Sequence, residues 1–172
     1  MLVEMSRQDF ELLDDDALGW RCMEPTFLRI RGKDMTVKSQ ALAQLGTGQR
    51  ALFMFRVLYD HARNSVTEFY CWIAHLLDQS NYWLGVMKAL NFFGDTSMIE
   101  ILEETKIILE AKSQKLGQPL RDFNFKDLDD NKELQTIVSQ LYQKFQETAP
   151  DSLKRISNYI RLNPEEFVEV KE

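Results

Sequence analysis

The stretch RNSVTEFYCWIAHLLDQSNYWLGVMKALNFFGD, Arg63 to Asp95, decides how the rest of the chain is read. In its first half Phe69, Ile73, Leu76 and Leu77 fall on one helical face, with Glu68, Cys71, His75 and Asp78 opposite. In its second half Asn81 is expected to cap a helix on which Trp83, Val86, Met87, Leu90 and Phe93 share a face. Gly94 suits the C-terminal stop, and Asp95 or Thr96 the next cap. An Asn, a Glu and a His lie among the rings, so the stretch reads either as a reaction site or as the centre of a helical core. Apolar residues three and four apart favour the core.

Immediately upstream, Thr47 is an N-cap candidate for QRALFMFRVLYDHAR, whose polar stripe is Arg56, Asp60 and Arg63. A helix so apolar must be surrounded by others, which makes it the expected central helix of a bundle. Downstream, SMIEILEETKIILEAKSQKLG turns Met98, Ile101, Leu102, Ile108 and Leu109 inward and Glu100, Glu103, Glu104, Lys106 and Glu110 outward. Gly117 and Pro119 end it, and residues 118–126 form a linker. Asp127 or Asp129 is expected to start a helix carrying Leu134, Ile137, Val138, Leu141, Tyr142 and Phe145. Pro150 suits the first turn of a further helix, and Asn163-Pro164 a last short turn over EEFVEV.

At the other end, Ser6 and Asp9 resemble a capping box, which predicts a first helix from Arg7 to Ala17 that stops near Gly19. FLRIRGKDMTV alternates weakly about Gly32 and is expected to form a short hairpin or an ordered loop over residues 26–37. The fold class is all-α: one domain, a bundle of about seven helices. Its expected parts are an N-terminal helix and irregular arm (1–36), a central bundle (37–117), the linker, and C-terminal helices (127–170).

With 172 residues, 44% hydrophobic and 28% charged, the chain is long enough to bury a core. Its beginning shows no signal or transit pattern, and its longest apolar run, ALFMF, is far too short to span a bilayer. The expected location is cytoplasmic, where Cys22 and Cys71 stay reduced. A net charge of −6 lacks the basic surplus of a nucleic-acid binder. The charge is uneven. Six acids stand against Arg7 between Glu4 and Asp16, whereas Arg21, Arg29, Arg31, Lys33 and Lys38 face only Glu24 and Asp34. Internal pairing of the acidic arm with the basic stretch is the expected outcome.

Metal and cofactor chemistry lack their motifs. His61 and His75 belong to no HExxH or ExxH, and LGTGQR lacks the GK[ST] ending of a phosphate-binding loop. Cys71 and His75, one helical turn apart and with Glu68 as orienter, spell a thiol-dependent enzyme as the alternative function. No Gly-rich turn is at hand for an oxyanion pocket, so no catalysis and no cofactor are expected. Trp72 and Tyr82 fall partly outside the core registers and suit a partner surface.

Four pieces together resemble an uncharacterised bacterial all-α domain family that includes a DNA-mimic protein: QRALFMFRVLYDHARN (Gln49–Asn64), EFYCW (Glu68–Trp72), ALNFFG (Ala89–Gly94) and YIRLNPEEF (Tyr159–Phe167). The resemblance spans roughly residues 45–168 and departs after Asn64, where Ser65 and Val66 replace the two glycines the family favours. It implies no known cofactor or catalysis and, for the mimic, a homodimer whose surface acids imitate phosphate spacing. The acids that would serve are Asp14, Asp15, Asp16, Glu100, Glu103, Glu104, Asp127, Asp129 and Asp130. The expected function is therefore a non-catalytic interaction domain, DNA-mimic-like or immunity-protein-like. It would hold a protein partner, a basic DNA-binding protein or a toxin, and neither nucleic acid nor a membrane.

Overall fold

Spacings of three and four residues become nine α-helices among the described residues, 2–172 of the computed structural model. Together with two short strands they run in chain order β1 (Val3–Ser6), α1 (Arg7–Leu12), α2 (Asp15–Ile30), α3 (Met35–Ala43), α4 (Thr47–Ala62), α5 (Val66–Asp78), α6 (Ser80–Phe92), α7 (Thr96–Leu116), α8 (Lys126–Asp129), α9 (Lys132–Leu162) and β2 (Val168–Lys171). The chain is 79% helical and forms the all-α bundle that its periodicity predicts. It divides into two compact units, one holding residues up to Phe53 with Asp151–Glu172 and the other Met54–Pro150. The division cuts through α4 and α9.

The first unit departs most from expectation. Helix α1 does begin at the Ser6 cap, with Ser6 Oγ accepting from the Asp9 amide at 3.0 Å, but it stops at Leu12 rather than Ala17. Asp14 then caps a new helix by accepting from the Ala17 amide at 2.7 Å. That helix, α2, runs straight through Gly19 and Pro25 into the segment expected to be a hairpin or loop. Leu18, Cys22, Met23, Thr26 and Ile30 are buried at helical spacing, and that packing outweighs the missing donor at Pro25. Gly19 is packed, not a stop: a Cβ there would sit 3.7 Å from Leu52 Cδ1. The weak alternation about Gly32 is the turn between α2 and α3, where Gly32 has φ 67° and Asp34 caps α3.

The two ends of this unit form a parallel pair of strands, Val3 opposite Val168 and Ser6 opposite Lys171. Of the turn expected over EEFVEV, Asn163 and Pro164 do open a single 3-10 turn over Pro164–Glu166, and the residues from Val168 on are strand instead. Acidic residues of the arm pair with this terminus. Arg161 lies 3.6 Å from Asp15, Ser157 donates to Asp15, and Lys171 lies 3.7 Å from Glu4. Glu166 closes the N-terminus of α4, accepting from the Gly48 amide at 3.1 Å and from the Tyr159 hydroxyl at 2.7 Å. Asp15 and Glu4 of the acidic arm thus turn to the C-terminal segment rather than to residues 21–38, their expected partners.

In the second unit α4 contributes Phe55, Leu58 and Tyr59 to the core, and α5, α6 and α7 contribute Phe69, Ile73, Trp83, Val86, Met98 and Leu102. Phe145 joins them, 5.3 Å from Phe69 and 6.4 Å from Tyr59. Met54 lies over Gly85, where a Cβ would come within 2.7 Å of the Met54 methyl carbon. Arg56 is buried and answered by Asp60, so the predicted polar stripe of α4 closes on itself. Helix α6 starts at Ser80, one residue before the expected Asn81 cap. Asp95 caps α7, and Gly117, at φ 61°, ends it, both as predicted. Asp127 starts no long helix; α8 is a single turn, and Asn131 caps α9 by accepting from the Leu134 amide. Pro150 lies inside α9 rather than opening a new helix, since Ala149 and Ser152 beside it are buried.

Candidate functional site

The turn from α4 to α5 is made without glycine. Asn64 Nδ2 donates to the Asp60 and His61 carbonyls, at 3.1 and 3.2 Å, and to Glu68 Oε2 at 2.8 Å. Ser65 Oγ accepts from the Glu68 amide at 3.1 Å and caps α5. Two hydrogen-bonding side chains thus set this turn locally, with no need of glycine's backbone freedom.

Helix α5 buries Phe69, Tyr70, Ile73, Ala74 and Leu76, which leaves Trp72 and His75 on its other side. The Trp72 indole is fixed: its Nε1–H donates to the Val57 carbonyl of α4 at 2.8 Å. His61, on the last turn of α4, stacks on it with centroids 3.9 Å apart, and His75 stacks at 5.1 Å. Both imidazoles are exposed and the indole is half-buried. The result is a preset stack of rings built from two helices. His61 was not a candidate from sequence. Its distance from Trp72 along the chain hides the stack, though the i, i+3 spacing of Trp72 and His75 foretells half of it.

On the same helix, Cys71, His75 and Glu68 show no mutual arrangement for nucleophilic chemistry. Glu68 receives Asn64, and the His75 ring lies on Trp72. Burial, with the nearby charges of Asp127 and Glu68 adding to it, pushes the Cys71 thiol above its ordinary value, which disfavours the thiolate. Cys22, buried in α2, is pushed up to about 12. No group of three or more His, Cys, Asp or Glu that could hold a metal ion occurs among the described residues.

At Tyr70, next to Cys71 in the chain, a second cluster missed by sequence reading closes the 118–126 segment. Lys112 Nζ lies 3.0 Å from both the Asp127 carboxylate and the Tyr70 hydroxyl, and 3.9 Å from the Phe123 ring centre. Tyr70 donates to Asp127 at 2.9 Å, as does the Asn124 amide. Burial alone would push the Asp127 carboxyl up, but the Asn124 amide, Lys112 and Tyr70 outweigh it and hold the acid below its usual range. Burial and then Asp127 push the Tyr70 hydroxyl well above its own. Lys112 gave no sequence signal, standing as one base in a charged helix.

The candidate acids scatter in role. Asp14 is a helix cap, Asp15 meets Arg161 and Ser157, and Asp16 is half-buried, all in the first unit. In the second unit Glu103 lies 3.7 Å from Lys106, Glu104 2.7 Å from Lys144, and Asp127 is engaged as above. Glu100, Asp129 and Asp130 are exposed and make no ion pair among the described residues; Tyr82 is half-buried. No family model matches the chain, and no curated protein or solved structure matches it. No described helix is long and apolar enough to cross a membrane.

Proposed function

We propose that the chain is a non-catalytic protein-interaction domain whose contact surface centres on Trp72. The observation that carries this reading is the stack of His61, Trp72 and His75, in which the indole is anchored to the Val57 carbonyl while both imidazoles face solvent. A ring held in place before contact loses little conformational freedom on binding, and tryptophan is enriched among residues that dominate interface energies. The pushed-up Cys71 thiol supports a binding role over the thiol-dependent alternative.

A basic partner, a DNA-binding protein or a toxin, suits the net charge of −6. The DNA-mimic version needs rows of uncommitted acids. Glu100, Asp129 and Asp130 support it, while Glu103, Glu104 and Asp127 are already paired and weaken it. Capture from a host lysate by immobilised wild-type chain and by Trp72→Ala and Asp129→Asn/Asp130→Asn variants tests the reading. A partner held by wild type should be lost with Trp72→Ala. The Asn variants should bind more weakly and with less sensitivity to salt. Equal capture of that partner by Trp72→Ala would overturn the aromatic surface.

A further inference from the structure

Between α2 and α3 the charge of this acidic protein reverses. Residues 28–38 carry Arg29, Arg31, Lys33 and Lys38 against one acid, Asp34. Asp34 is spent on its cap, accepting from the Val37 amide at 3.0 Å. Arg29 donates to the uncharged Gln44 side chain at 2.8 Å, and Arg31, Lys33 and Lys38 make no ion pair among the described residues. Two acids of the N-terminal arm, Asp15 and Glu4, are engaged with the C-terminal segment instead. Apolar side chains stand among these cations: Leu28 is 63% exposed and Met35 61%.

We propose that this turn is a docking surface for an anionic lipid membrane. Unmatched cations and exposed apolar side chains at and on either side of one turn have the two properties such a surface rewards. Anionic headgroups attract the bases, and the boundary beneath them accepts the apolar groups. Residues 31–36 are all exposed in sequence, so the whole tip can meet a broad surface. Phosphates of a nucleic acid would answer the bases but leave Leu28 and Met35 in water. Surface docking needs no spanning helix. It uses none of the residues around Trp72, which belong to the other compact unit.

The test is sedimentation of the full chain with vesicles of phosphatidylcholine alone, or with phosphatidylserine mixed in, at low and high salt. Binding should require phosphatidylserine and fall as salt rises. Arg31→Gln/Lys33→Gln should lower the partition coefficient by about thirtyfold, since each basic residue near such a surface contributes roughly fivefold. Leu28→Ser/Met35→Ser should weaken binding at every salt concentration. These side chains are exposed, and circular dichroism should show each variant as helical as wild type. The proposal is overturned if the wild type ignores phosphatidylserine vesicles or if the variants bind them as well as it does. It is also overturned if polyglutamate or duplex DNA is held by this turn while vesicles are not.

Discussion

Tyr70 and Trp72 stand two residues apart on α5 and meet opposite fates. Tyr70 is fully buried, and its hydroxyl completes a closed set with Lys112 and Asp127, whose side chains are only 11% and 15% exposed. Trp72 is half-buried, tied down by one hydrogen bond to Val57, and offers its ring system to two exposed imidazoles. In the first cluster every polar group answers another inside the molecule. In the second, polarity is used once to hold the ring, and the rest faces outward. A 3.6-residue repeat produces this contrast, since residues two apart point to nearly opposite sides of a helix. The chain can therefore use one segment both to lock its fold and to present a surface.

Breaking the lock should have the largest effect. Lys112→Ala would leave a nearly buried carboxylate without its cation and should cost about 2–3 kcal/mol in urea unfolding, somewhat under the figure for fully buried pairs. Restoring apolar packing with Lys112→Met/Asp127→Leu should recover much of that loss, because the uncompensated charge is then gone. The same lock sets a pH dependence. Asp127 is held below its ordinary value, so its contribution is fully present above about pH 4 and drains away as the pH falls through the lowered value. Asp127→Asn should flatten that acid limb. Tyr70 works on the other side. Its contribution is complete below about pH 10 and is lost as the pH climbs toward its raised value.

Breaking the surface should cost less stability and more binding. Trp72→Ala forfeits one hydrogen bond and a half-buried ring, worth about 1–2 kcal/mol, yet should abolish partner capture. Lys112→Met/Asp127→Leu should leave capture intact, which is the sharpest form of the contrast. Cys71 lies between the two residues and reports on both. Its half-buried thiol should alkylate slowly at neutral pH, faster than fully buried Cys22 and more slowly than a free peptide thiol, with rates read by mass spectrometry. A Cys71 faster than the free thiol would revive the thiol-dependent reading.

Local rules made the helices of the second unit legible. Asp95 and Gly117 act within one turn of their own positions, and the faces of α5 to α7 follow directly from apolar spacing. The first unit was less legible because distant partners override its local signals. Gly19 and Pro25 look like breaks, but Leu18, Cys22, Met23 and Ile30 are buried and carry α2 past them. Gly48 shows the same dependence. A Cβ there would crowd Glu166 and come within 2.9 Å of Phe167, residues more than a hundred positions away. The β1–β2 pair joins the two ends of the sequence, and no window along the chain contains both strands. At the candidate site, the fixed Trp72 needed Val57 and His61 from another helix. Sequence therefore marked the ring as off-register without showing what held it.

The imidazoles should matter least to stability, which makes them the finest probe of the surface. His61→Ala removes a ring stacked at 3.9 Å on Trp72, but both the lost ring and the space it leaves are open to water. Stacking of exposed rings is worth about 0.5 kcal/mol, so thermal unfolding should shift by only a degree or two. His75→Ala, at 5.1 Å, should shift it less. The indole keeps its hydrogen bond to Val57 in both variants, and its fluorescence should brighten as a stacked neighbour is removed. If partner capture weakens in step with that brightening while Tm hardly moves, the stack presents the ring. If capture is unchanged, Trp72 acts alone and the imidazoles are bystanders.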